Sequence, residues 1–345
     1  MSGASPLRIL VVDDQSFMRM ALRRIIEAEG DMRVVGEARN GVEAVALAHE
    51  LKPDAVTMDV EMPEMGGLEA CSRILKEIAP PPSIIMVSAH TQSGAEATLQ
   101  ALRLGAVDFV SKSSLHVATD LAQIDTELRP KLRAWSRWQG RRGERAPVDS
   151  AARTRELARV PELVAIAAST GGPQALTRLL HLLGPIDPPI VIAQHMPEFF
   201  TANFAESLSL DTGCAVREGS HQYRLDPGTV TLLPGGRDAV VAPRTGGGYE
   251  LRLIKLEASV HPSADALFES AAMVTARPVG VVLTGMGEDG TKGAKALLRK
   301  GAPILVQDPK SCVVGGMPEA VIAAGATEIL SIEAIAARLA GWARR

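Results

Sequence analysis

A hydroxyl, an imidazole and a carboxylate each stand just beyond an apolar run in the second half of this 345-residue chain. Ser169 follows LVAIAA, His195 follows PIVIAQ, and Asp289 lies beyond VGVVLT in the stretch TGMGEDGTKG. These residue types suit acyl transfer. A serine hydroxyl is a poor nucleophile until a base takes its proton, and that base needs a carboxylate to fix its tautomer and stabilise the imidazolium. Ala167-x-Ser169-x-Gly171 approximates the G-x-S-x-G turn, in which small neighbours permit a sharp, exposed bend, although its first glycine is alanine here. Pro173 suits the first position of a following helix. Amides of the glycine loop, that of Met286 for example, can face an oxyanion. Blander roles compete: Ser169 can be a plain helix N-cap, and His195 a satisfied hydrogen-bonding group.

The same glycine loop fits a second chemistry. Gly285, Gly287 and Gly290 match G-x-G-x-x-G, and Asp308 closes the run PILVQD at roughly the 20-residue distance of a dinucleotide fingerprint. Against it, such a fingerprint normally lies in the first strand-helix-strand unit of its domain, and a cofactor there leaves Ser169 and His195 without a role. A metal-dependent hydrolase would need a His or Cys cluster at ligand spacing, which this half of the sequence lacks.

In the first half, Asp13 and Asp14 follow RILVV, Asp59 follows AVTM, Ser88 closes SIIMVS and Lys112 follows DFVS. Open parallel sheets bind ligands at the carboxyl ends of their strands, so these five groups converge on one edge. Carboxylates that close raise one another's pKa unless a cation joins them, and hard oxygen donors suit Mg²⁺. The set can carry a phosphoryl group on Asp59, with Mg²⁺ and Lys112 neutralising charge on the transferring oxygens. Asp13 and Asp14 alone can equally cap a helix. The ordered five are the stronger pattern.

Strands must deliver all these groups. From Leu7 to about Ile124, RILVV, MRVVG, DAVTM, SIIMVS and AVDFVS alternate with amphipathic segments such as SFMRMALRRIIEA. This predicts a parallel sheet wrapped by helices over residues 1–125. From Arg137 to Glu162 the apolar period fades and Arg, Gly and Pro accumulate, so 126–160 reads as a helix end and linker, its arginines a solvated basic joint rather than a docking patch. LVAIAA, PIVIAQ, VGVVLTG and PILVQ then predict a second, doubly wound α/β domain over 161–345. The shorter runs GTVTLLPGG, DAVVAP and GYELRLIK predict a hairpin or small antiparallel arm.

Composition sets the outer limits. With 46% hydrophobic and 22% charged residues the chain suits two domains, each with its own core. Its 37 basic and 40 acidic residues leave a net charge of -3, which makes no global electrostatic case for nucleic acid or an anionic membrane. Cys71, Cys214 and Cys312 are scattered without C-x-x-C spacing and read as buried free thiols. The N-terminus is unlike a signal peptide and no apolar run approaches the roughly 18 residues of a membrane span, so a cytoplasmic location without membrane insertion is expected.

On Asp13, Asp14, Asp59, Ser88 and Lys112 the first third resembles the receiver domain of two-component response regulators, a flavodoxin-like fold with a parallel five-stranded sheet. The resemblance implies that Asp59 accepts phosphate from a histidine kinase, that Asp13 and Asp14 hold Mg²⁺ with it, and that Ser88 and Phe109 form a switch pair. SKSS stands where receivers usually have proline after the lysine, and a small change in loop geometry is expected. After the linker, AASTGGPQAL, AQHMP, HPSADALFESAA, VVLTGMGEDG and SCVVGGMPEAV are similar to the C-terminal domain of the chemotaxis response-regulator protein-glutamate methylesterases. That similarity implies Ser169 as nucleophile, His195 as base and Asp289 as its orienting acid, with Thr170 and Met286 beside the oxyanion and no cofactor in this domain. The implied substrates are glutamate γ-methyl esters, and glutamines for deamidation, on the cytoplasmic helices of methyl-accepting chemotaxis receptors.

A phosphoryl switch joined to a hydrolase predicts that the unphosphorylated first domain covers the Ser169 edge and that phosphorylation uncovers it. Four positions depart from the family pattern: Ala167 replaces Gly, His261 replaces Arg, Asp238 lies where a His is usual nearby, and Gly315 replaces an aromatic. They leave a phosphorylation-controlled binding module without useful turnover as the principal rival, and a dinucleotide-dependent oxidoreductase as a second.

Overall fold

The computed structural model describes residues 5–89, 91–112, 117–140, 160–258 and 260–343. The chain divides into two compact units, 1–144 and 145–345. The first unit begins β1 (Leu7–Val12), α1 (Ser16–Glu27), β2 (Met32–Ala38), α2 (Gly41–Leu51) and β3 (Ala55–Asp59). It continues α3 (Gly67–Glu77), β4 (Ser83–Ala89), α4 (Gln92–Leu104), β5 (Asp108–Lys112) and α5 (Val117–Gly140). The five strands form one sheet in the order β2-β1-β3-β4-β5, all parallel. Ile9–Val12, Ala55–Asp59 and Ile84–Ser88 are buried without alternation, as strands with both faces covered by helices must be.

Helix α5 runs well past residue 125. Leu128, Leu132 and Trp135 are buried, and Lys131 Nζ donates to Asp108 Oδ1 at 3.2 Å and to Phe109 O at 2.6 Å. Arg133 donates to Asp31 and Glu29. The helix continues to Gly140, a few residues into the stretch from Arg137 that reads as linker in the sequence. Most of the basic joint lies outside the described residues, as do Ser113 and Ser114.

The second unit opens with β6 (Leu163–Ala168), α6 (Gly172–Leu183), β7 (Ile190–Gln194), α7 (Phe200–Thr212), β8 (Ala215–Glu218), β9 (Arg224–Leu225) and β10 (Thr229–Leu232). Next come β11 (Asp238–Pro243), β12 (Tyr249–Ile254), α8 (Ala264–Val274), β13 (Pro278–Val282) and α9 (Thr291–Arg299). The unit ends with β14 (Ile304–Gln307), α10 (Gly316–Ala323), β15 (Glu328–Leu330) and α11 (Ile332–Ala343). Seven parallel strands make its main sheet, ordered β15-β14-β13-β6-β7-β10-β8. Strand order reverses between β6 and β13, and the crevice at such a switch point is where open α/β sheets bind ligands.

The antiparallel arm is real but differently composed. It consists of β11, β12 and β9, whereas the TVTL run is β10, hydrogen-bonded in parallel to β7 and β8 within the main sheet. Thr231 misleads the sequence reading: it is fully buried in the sheet, yet its polarity imitates the solvent face of a hairpin strand. Beneath the crevice, Ala167, Ala193, Val282, Phe268 and Met317 belong to one buried cluster. Among the described residues no helix is long and apolar enough to cross a membrane, and Cys71, Cys214 and Cys312 are free and buried.

Candidate functional site

In the first unit, register brings two acids level. Val12 lies opposite Met58, so Asp13 and Asp59 emerge side by side from β1 and β3. Ligand oxygens of Asp13, Asp14 and Asp59 all fall within 4.8 Å of one another. Lys112 Nζ reaches Asp13 Oδ2 at 2.7 Å and Asp59 Oδ2 at 2.9 Å. Asp13 Oδ1 accepts from the Gln15 amide at 3.0 Å, and Asp59 Oδ1 from the Val60 amide at 2.8 Å. Burial, opposed by the Lys112 ammonium and reinforced by the Asp13 charge, pushes Asp59 up to about 6. Three carboxylates against one ammonium leave excess negative charge, and an all-oxygen donor set with Asp14 exposed fits a hard divalent cation such as Mg²⁺. Ser88 is buried at the end of β4, its hydroxyl donating to Gly94 O of α4 at 3.0 Å. Phe109 is also buried, with Lys131 Nζ 5.3 Å from its ring centre.

In the second unit three neighbouring strands deliver the hydroxyl, imidazole and carboxylate. Ala168 pairs with Gln194 and Ala167 with Val282, so the chain leaves β7, β6 and β13 at nearly one level. The His195 amide donates to Ala168 O at 3.0 Å. Gln194 Nε2 donates to both Ser169 O and His195 O at 3.0 Å, so one carboxamide ties the two backbones together. The Ser169 amide is spent on Thr284 O at 3.0 Å. Its hydroxyl makes no hydrogen bond among the described residues, and neither do the Thr170 and Met286 amides.

His195 Nε2 lies 2.8 Å from Asp289 Oδ2. The same carboxylate accepts from the Ala264 amide at 2.6 Å, the Asp265 amide at 3.0 Å and the Ser263 hydroxyl at 3.4 Å. Asp289 therefore occupies the N-terminus of α8, where unpaired amides and the helix dipole favour an anion. Burial works against its charge, but the hydrogen bond and charge of His195 and the two helix amides prevail, holding the carboxyl below the usual range.

The glycines of the loop serve close packing at Gly285 and turns of positive φ at Gly287 and Gly290. A Cβ on Gly285 would come within 2.2 Å of Met317 Sδ and 2.9 Å of Ser169 Cβ, and Gly290 turns into α9 at φ +91. The Gly293 amide of α9, which a pyrophosphate would require, donates instead to Asp265 Oδ1 at 2.8 Å. Asp308 caps a short turn by accepting from the Lys310 amide at 3.0 Å. The dinucleotide fingerprint is a coincidence of spacing. Of the four departures, Asp238 and His261 meet each other across 2.9 Å, Ala167 is buried within β6, and Gly315 precedes α10.

Known proteins are similar to this chain over both units. The description "Response regulator receiver domain" matches residues 9–120, and "CheB methylesterase" matches residues 164–339. A protein-glutamate methylesterase/protein-glutamine glutaminase of Bordetella avium is 42% identical over 347 residues, covering 96% of either chain. The chain belongs to the CheB methylesterase family. A second CheB-family relative, the protein-glutamate methylesterase/protein-glutamine glutaminase 2 of Pseudomonas aeruginosa, is 40% identical and covers 99% of this chain and 98% of its own. The crystal structure of the Thermotoga maritima CheB methylesterase catalytic domain is 33% identical, spans 52% of this chain and 98% of that one, and has a TM-score of 0.49.

Sequence reasoning missed three supports of this candidate site: Gln194, Ser263 and Thr284. Thr284 Oγ1 donates to Thr170 O at 3.0 Å and accepts from the Val314 amide at 3.1 Å, joining the loops after β6, β13 and β14. Only Ser263 had a legible signal, a serine just before a helix-forming run. The close approach at Gly285 gives a direct prediction. Gly285→Ala should cost about 1–3 kcal/mol of stability through overpacking, read as a lower thermal midpoint of the second unit. An unchanged midpoint would mean that the loop moves aside freely.

Proposed function

We propose that this chain is a phosphorylation-controlled hydrolase that removes methyl groups from glutamate γ-methyl esters, and deamidates glutamines, on methyl-accepting chemotaxis receptors. Ser169 is the nucleophile, His195 the general base and Asp289 its orienting acid. The observation that carries this is the 2.8 Å contact between His195 Nε2 and Asp289, itself pinned by the first amides of α8. With Nε2 taken, Nδ1 is the nitrogen left to serve the Ser169 hydroxyl. Ser169 Oγ attacks the ester carbonyl as His195 removes its proton, and the Thr170 and Met286 amides face the resulting oxyanion. Collapse breaks the bond to the methoxy oxygen, which leaves as methanol with the proton from His195. From a glutamine side chain the leaving group is ammonia. Water, deprotonated by the same imidazole, then hydrolyses the acyl-enzyme to free glutamate, and Asp289 stays ionised throughout.

Control falls to the first unit, with a chemotaxis histidine kinase as phosphodonor to Asp59. Asp13, Asp14 and Asp59 would hold Mg²⁺, which when bound offsets phosphoryl charge. Lys112, already within 2.9 Å of Asp59, supplies the second cation. Receptor helices on the cytoplasmic side place the chain there. A fluorophosphonate probe tests the assignment on the folded full chain, and covalent modification mapped to Ser169 is the expected result. Absence of label would favour a binding module without turnover.

A further inference from the structure

We propose that Asp238 is a positioning residue for hydrolysis, acting through the turn at His261–Ser263 to hold the first amides of α8 against Asp289. The proposal rests on the assignment of Ser169, His195 and Asp289 to one hydrolytic site. Asp238 begins β11, on the antiparallel arm, and its side chain is only 2% exposed. Both of its oxygens point into the turn that leads to α8. Oδ2 lies 2.9 Å from His261 Nδ1, and Oδ1 accepts from the Ser263 amide at 2.8 Å. Ser263 is the N-cap of α8, its hydroxyl accepting from the Ala266 amide at 3.3 Å. From that cap onward, the Ser263 hydroxyl and the Ala264 and Asp265 amides all turn toward Asp289. His261 also accepts, through its carbonyl, from the amide of Met196, the residue after the proposed base, at 3.3 Å.

The turn therefore touches both ends of the His195–Asp289 pair, and Asp238 is the buried group that fixes it. A carboxylate so enclosed is stable only while its partners stay in place, which makes the arrangement rigid. Loosening it would let the helix amides drift from Asp289, and with them the imidazole they orient. Displacement of about 1 Å at a reacting group can lower turnover on the order of 100-fold.

Methanol release from a methylated receptor fragment, followed with the full chain, tests this. Asp238→Ala should lower kcat about 100-fold with KM unchanged. Asp238→Asn should restore most of it, because the amide oxygen still accepts from Ser263 and the amide nitrogen can donate to an unprotonated His261 Nδ1. A role confined to stability would lower the thermal midpoint in both variants without this split in kcat. Unchanged kcat in Asp238→Ala, or an Asn variant as slow as the Ala variant, would overturn the proposal. If Asp238→Ala does not fold, His261→Ala, altered at a side chain 32% exposed, should lower kcat in the same direction, and no loss there would overturn it equally. Ser169→Ala serves as the control. Release that persists in it removes the hydrolytic assignment, whereas release lost in it but intact in Asp238→Ala removes only the present inference.

Discussion

Ser169→Ala in the full chain should reduce methanol release from methylated receptor on the order of 10⁶-fold, to the level of the oxyanion donors and binding alone. Removing the hydroxyl leaves His195 and Asp289 paired at 2.8 Å but with no oxygen to activate. His195→Ala should cost about as much, and the double variant little more, because nucleophile and base act as a unit and their losses are not additive. Asp289→Asn belongs lower on the scale, near 10⁴-fold. Its oxygen can still accept from the Asp265 amide, but its nitrogen would then present a donor to both His195 and the Ala264 amide and disturb the tautomer. Circular dichroism and a thermal melt show whether each variant is folded. Release from folded Ser169→Ala at more than a small fraction of the parent rate would refute the nucleophile assignment.

The strand-end groups were legible because buried parallel strands are nearly continuous apolar runs, and whatever follows such a run stands at the ligand-binding edge. Asp13, Asp59, Lys112, Ser169 and His195 could all be placed in this way. Less legible was anything that depends on approach from another element. Nothing local to Asp289 announces that its partners are the first amides of α8, some 25 residues earlier in the chain. Glycine spacing was ambiguous for a related reason. A missing Cβ records that something comes close, and at Gly285 the close neighbours are Met317 and Ser169 rather than a phosphate. The TVTL strand was misjudged because a polar residue, Thr231, interrupts the apolar pattern without ending the element. Asp238 and His261, two departures from the family pattern read separately in the sequence, prove to be partners in space.

Addition of a small-molecule phosphodonor and Mg²⁺ to the full chain should raise methanol release, and Asp59→Asn should abolish the response while leaving basal release intact. Phosphorylation places about -1.5 to -2 of charge where the single ammonium of Lys112 is already shared between Asp13 and Asp59. The Lys112 ammonium must then reorganise around the new oxygens, with Asp13 and Asp14 as the residues that would hold a charge-offsetting metal. Ser88 stands one residue beyond the level of Asp59 on the neighbouring strand, its hydroxyl committed to Gly94 O. Exchange of that carbonyl for a phosphoryl oxygen would shift the junction of β4 and α4, giving the charge a mechanical outlet. The size of the response reports the resting population: a chain that is about 1% active at rest can gain at most about 100-fold, and complete inversion needs about 5.5 kcal/mol of differential stabilisation. Chelation of divalent cations should suppress the response without touching basal release, since the acidic group suited to a metal, Asp13, Asp14 and Asp59, lies in the first unit. A chain beginning at Val160 should match or exceed the phosphorylated rate with no phosphodonor. Were it no faster than the unphosphorylated full chain, the first unit would exert no restraint, and Asp59 would have to act by adding an activating contact rather than by relieving inhibition.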